Sequence, residues 1–203
     1  MIGLIYLLVM GGHLLLSIWV VNLAVKQARK RSKPGWHYGV PMGIAMFLVL
    51  YWDLIPTHVV HRYHCLVDGG FTENKTLEEW KRENPGVTET LILNQQQGAI
   101  ITGNRRRYTI NQRFAWDVYT TRHILGIRET DKRIVDLDTN ESLVRYIDFD
   151  TDIRAIGLGV RGIRDLKVWL AANSCELDSR NNNLSRFNAF ENEIELLGSG
   201  KKW

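Results

Sequence analysis

The sequence predicts a membrane-anchored α+β protein: two N-terminal transmembrane helices, then a small domain with a mostly antiparallel sheet and flanking helices. Three observations lead there. Two long apolar runs lie within residues 1–61. The charge of the 203-residue chain is unevenly placed. Downstream, short stretches rich in β-branched and aromatic residues alternate with polar turns.

The first apolar run extends from Ile2 to Val25, broken only by small residues, His13, Ser17 and Asn22. At 1.5 Å per residue it reaches roughly 36 Å, enough to cross a bilayer. No basic residue precedes it, so a retained helix is expected rather than a cleaved signal. The second run, Tyr38 to Leu54, has Pro41 near its start, where a missing N–H is tolerated. Trp36 and His37 flank it on one side and Tyr51 and Trp52 on the other, residue types suited to the headgroup region.

Charge gives the expected orientation. Residues 1–61 hold a single acid, Asp53, and five basic residues: Lys26, Arg29, Lys30, Arg31 and Lys33. Of the chain's 26 basic and 22 acidic residues, 21 of each remain downstream, so the pI near 9.1 comes from one short loop. The positive-inside bias assigns loop 26–33 to the cytoplasm. Both termini then lie outside, which in a Gram-negative cell makes residues 62–203 a periplasmic domain on an inner-membrane anchor. A basic cluster between two apolar runs does not make a nucleic-acid surface, which needs cations on one face of a folded domain.

A connector from His58 to Gly70 is expected after the second helix. Thr76 and Glu79 form a capping box for a short helix that Asn84-Pro85-Gly86 stops. Thr88 to Leu93 is a strand candidate. Five more follow: Arg107 to Asn111, Arg113 to Thr121, Ile124 to Arg128, Arg133 to Asp138 and Leu143 to Phe149, the last two joined as a hairpin through residues 139–142. Helical spacing recurs in Ile163, Leu166, Trp169 and Leu170, and again in Leu184, Phe187, Phe190, Ile194 and Leu197, with Asn183 as cap and Gly198 as stop.

Five of the six histidines fall within the first 64 residues. His58, His61 and His64 follow Asp53 at the outer membrane boundary, and imidazole with carboxylate is a donor set for a transition metal or haem iron. Residues i and i+6 diverge on a straight helix, so a site using all three histidines needs a break near Pro56. The plainer alternative is solvated interfacial histidines. The two cysteines, Cys65 and Cys175, both fall in the part assigned outside, where an oxidising compartment favours a disulfide. Unrelated buried thiols are the competing reading.

Gly157-Leu-Gly159-Val-Arg-Gly162 matches a dinucleotide pattern but lacks the acidic residue expected about 20 positions later. A glycine-rich turn accounts for it. Arg105-Arg106-Arg107 follows the Gly103-Asn104 turn and suits anionic headgroups, an acidic partner or plain solvation. No Walker loop, G-x-S-x-G or H-E-x-x-H occurs. The expected role is thus an accessory or assembly subunit without catalysis, whose partners are the bilayer and another membrane or periplasmic protein, or a second copy. The rival expectation is a metal- or haem-dependent redox or transport component using Asp53, His58, His61 and His64.

Overall fold

The computed structural model describes residues 2–93, 98–151, 153, 167–175 and 182–198. The chain divides into two compact units, residues 1–59 with 153–171, and residues 60–152 with 172–203.

The first unit is built on helices α1 (Ile2–Lys30) and α2 (Trp36–Tyr51). Within α1, Tyr6–Lys30 is long and apolar enough to cross a membrane, and it is not buried within the protein. Large side chains such as Leu8, Leu15 and Trp19 are exposed along it, which in water would be an unusually large apolar patch. The two helices meet most closely near their connection. A Cβ on Gly39 would lie 2.8 Å from Val25 Cγ2, and one on Gly35 would lie 2.9 Å from Val25 Cγ1. Glycine at both positions lets the backbones approach.

The expected second apolar run is not one straight helix. α2 ends at Tyr51, and α3 (Leu54–Val67) follows at a bend of 52°. At 16 residues α2 alone spans about 24 Å, less than a bilayer's hydrocarbon core. Pro56 is in the first turn of α3, where its missing N–H breaks no helical hydrogen bond, so it starts a helix rather than ending one. The connector expected from His58 is therefore helical as far as Val67.

The second unit carries a six-stranded, wholly antiparallel sheet in the order β1-β6-β5-β4-β3-β2. Its strands are β1 (Gly70–Glu73), β2 (Ala99–Thr102), β3 (Arg105–Thr109), β4 (Phe114–Arg122), β5 (Ile127–Asp136) and β6 (Ser142–Thr151). Helices α4 (Leu77–Glu83) and α5 (Asn183–Gly198) flank it. The capping box at Thr76 is present, with Glu79 N–H donating to Thr76 Oγ1 and Thr76 N–H donating to the Glu79 carboxylate. One sheet face packs on these helices through Trp80, Phe114, Ile134, Val144, Tyr146, Phe187, Phe190 and Ile194. The β5–β6 hairpin forms about the expected turn, with a bulge at Ile134/Val135.

Other expectations shift. Thr88 to Leu93 is not a strand: Gly86, at φ +79°, opens a 3-10 turn over Val87–Thr90, and only Leu93 bridges to Asn111. Ile124 to Arg128 and Arg133 to Asp138 are not two strands, since β5 runs unbroken from Ile127. Strands β1 and β2 are additions to the expected set. Trp169 and Leu170 lie in a 3-10 turn over Val168–Leu170. Ile163, Leu166 and the glycine motif at 157–162 are outside the described residues.

Candidate functional site

The residues singled out as metal donors each hold a different partner. In the first unit, Asp53 is buried and its Oδ2 accepts from Lys167 Nζ at 2.6 Å. His58 Nε2 lies 2.9 Å from the Trp169 carbonyl, and since a carbonyl can only accept, the ring proton is on Nε2. Tyr51 packs against the Trp169 ring at 4.7 Å. Sequence reasoning did not find Lys167 or Trp169, because both come from a segment more than 100 residues downstream.

In the second unit His61 is 7% exposed, and its Nε2 donates to the Phe149 carbonyl at 3.0 Å. His64 Nδ1 donates to Asp68 Oδ2 at 2.8 Å, its ring stacks on Phe149 at 4.9 Å, and His123 lies 5.2 Å away. His123 is itself bonded to Glu129 at 2.6 Å. His64 and His123 thus form two histidine–carboxylate pairs side by side. Only the turn-like Arg122-His123 sequence before β5 could have drawn attention to the second of them.

Cys65 and Cys175 meet as expected, with an S–S distance of 2.01 Å and Cα atoms 5.3 Å apart. The bridge ties α3 to the segment after the 3-10 turn and packs with Val60, Ile127, Ile147 and Phe149. Beside it, Asp148 Oδ1 accepts from the Cys175 N–H at 2.8 Å. Burial pushes the Asp148 carboxyl above its ordinary range; the Cys175 N–H opposes this and Asp150 adds to it.

No protein-family model, curated protein or solved structure matches this chain.

Away from the helix-covered face, the sheet presents a ladder of charges in register. Arg107 forks onto Asp117 with two bonds of 2.6 Å, and Arg133 and Arg145 both hold Asp131. Burial alone would raise Asp131, but the two guanidiniums outweigh it and hold the carboxyl below its usual value. Arg133 also covers the Tyr119 ring at 4.9 Å. Four arginines, counting Arg105 at 4.0 Å from Asp117, share two aspartates, so this face is net cationic.

The two sheet edges differ. β1 carries Glu73 and is followed by Asn74 and Lys75, whose N–H groups both bond the Leu143 carbonyl. β2 has the sequence Ala-Ile-Ile-Thr and is exposed throughout, with Ile100 and Ile101 at 59% and 68% exposure on opposite faces. Natural edge strands are usually blunted by charge, proline or a bulge, and β2 has none of these.

Proposed function

We propose that this chain is an integral inner-membrane accessory or assembly subunit that presents its α+β domain on the periplasmic side as a protein-binding module. The observation that carries the reading is the apolar edge of β2, unguarded among the described residues. An edge of this kind accepts an added strand, with main-chain hydrogen bonds supplying affinity and flanking side chains supplying selectivity. Ile100 shares its face with Arg107 and Asp117, and Ile101 shares its face with Arg106, by the register of β2, β3 and β4. The nearby arginines favour a partner with acidic side chains beside its strand.

The anchor rests on α1, with α2 and α3 as far as His61 read as a second, bent span ahead of the domain at residues 62–203. The cationic loop Lys26 to Lys33 supports a cytoplasmic connection and external termini. The Cys65–Cys175 bridge agrees with an oxidising compartment. His58, His61, His64 and Asp53 are each already bonded within their own unit, which favours the binding module over a metal or haem centre built on those four.

The test is site-specific photo-crosslinking in native membranes from position 101, with position 72 on the opposite edge as control. A discrete protein adduct from 101, absent from 72, is expected. Topology is read by alkaline phosphatase fused at the C-terminus, which should be active. Absence of any adduct from 101, or an inactive phosphatase fusion, sinks the reading.

A further inference from the structure

His61 has an unusual environment for a buried histidine. Its Nε2–H is committed to the Phe149 carbonyl, which fixes the tautomer and leaves Nδ1 as the lone-pair nitrogen. Among the described residues, Nδ1 lies 4.0 Å from Cys65 Sγ, a disulfide sulfur with no proton to give. Cys65 Sγ also lies 3.6 Å from Nε2, so the sulfur sits against the ring. Cys175 completes the group: one donor atom each from His61, Cys65 and Cys175 lie within 4.8 Å of one another.

We infer that reduction of the Cys65–Cys175 disulfide converts this cluster into a binding site for one zinc-class cation, held by the two thiolates and His61 Nδ1. Three features carry the inference. His61 and Cys65 are four residues apart on α3, so they share a helix face, and Cys175 arrives from a separate segment. The Cα atoms of the cysteines, 5.3 Å apart, are close enough for both thiolates to reach one ion at the usual bond length of about 2.3 Å. The Nε2–H to carbonyl bond is the outer-shell contact that metal-ligating histidines characteristically make, and it orients the ring.

A dithiol reductant delivers two electrons and two protons, the S–S bond breaks, and the reductant closes into its own disulfide. A divalent cation then displaces both thiol protons, giving two metal–thiolate bonds and one metal–imidazole bond. Disulfide and metal are mutually exclusive occupants of the same two sulfurs. Three protein donors leave one position of a tetrahedral ion open, which distinguishes such a site from a closed four-ligand structural one. This donor set shares only His61 with the histidine and aspartate group singled out from the sequence.

The experiment uses full-length protein in detergent, oxidised or reduced by a non-coordinating phosphine, titrated with Zn²⁺ against a chromophoric chelator and with Co²⁺ as a spectroscopic probe. Reduced protein should bind one equivalent and show a thiolate-to-cobalt charge-transfer band, and oxidised protein should show neither. His61→Gln should weaken binding by at least ~10-fold, Cys175→Ser should abolish the band, and His64→Ala should change nothing. Near-UV circular dichroism of the reduced apoprotein separates loss of ligands from loss of fold. Unfolded reduced protein, absence of stoichiometric metal, or His61→Gln binding as tightly as the parent would each overturn the proposal.

Discussion

The indole N–H of Trp80 donates to Asp136 Oδ2 across 2.7 Å, with both residues buried. This bond joins α4 to β5 at the centre of the helix-covered core, where Trp80 also packs on Phe114 at 4.7 Å. Asp136 is also ion-paired with Arg113 at 2.7 Å and accepts from the Asp138 N–H. Trp80→Phe keeps most of the volume but removes the donor, and is expected to lower stability by about 1–2 kcal/mol. Trp80→Ala adds a cavity and should lower it by about 3–5 kcal/mol. Urea unfolding followed by circular dichroism reads both.

Acid should weaken the second unit through Asp131 and Asp136. For each, burial pushes the carboxyl up. Arg133 and Arg145 outweigh it at Asp131, and the Trp80, Asp138 and Arg113 donors outweigh it at Asp136. Both therefore lie below the unfolded value of about 3.9. Their stabilisation is fully present above that value and is lost as pH falls through the lower folded values. Unfolding midpoints measured from pH 6 down to pH 2 should fall, and Asp131→Asn should flatten the decline while lowering stability at neutral pH by about 1–3 kcal/mol.

Asp148 has the opposite sign. Its folded value is raised, chiefly by burial, so the protein is favoured by its protonation and disfavoured as pH rises through that value. Asp148→Asn retains an acceptor for the Cys175 N–H without the buried charge. At pH 7 the variant should match or exceed the parent in urea resistance, and its advantage should disappear at low pH.

The disulfide spans 110 residues of sequence. In the chain-entropy description, closing a loop of that size contributes about 4–5 kcal/mol. Cys65→Ser should therefore unfold at markedly lower urea, and the parent should lose a similar amount on reduction. A non-reducing gel comparing parent and variant verifies that the bridge is what was removed.

At the α1–α2 contact, Gly39→Val places two branches where a single Cβ already meets Val25 Cγ2 at 2.8 Å. Valine in a helix has essentially one side-chain rotamer, so Val25 cannot swing aside. The pair should splay near its connection. Engineered cysteines flanking the contact should cross-link less efficiently in the variant than in the parent.

Much of the architecture was legible because local chemistry dictated it. The Ile2 to Val25 run permits only a long apolar helix, Thr76 and Glu79 cap one another, and Asn183 to Gly198 carries its own apolar stripe. Misreadings arose where a local signal had two meanings. The stretch after His58 looked like a connector and is helical as far as Val67, with Pro56 in the first turn of α3. The polar stretch Glu129 to Lys132 looked like a turn, yet it is mid-strand, because in-register arginines on β5 and β6 satisfy Asp131 where an apolar side chain would otherwise sit.

The sequence by itself determined the long apolar N-terminal helix, the cationic loop, the antiparallel β content and the presence of a single possible cysteine pair, since each depends on neighbours a few positions apart or on composition. Only the tertiary structure decided that the histidines and Asp53 find separate partners in Phe149, Trp169, Asp68 and Lys167, and that His61 rather than His64 lies against the sulfurs. The reason is that hydrogen-bond partners are assigned by which distant segments the sheet and helices bring within 3 Å, and spacing along the chain carries no record of that.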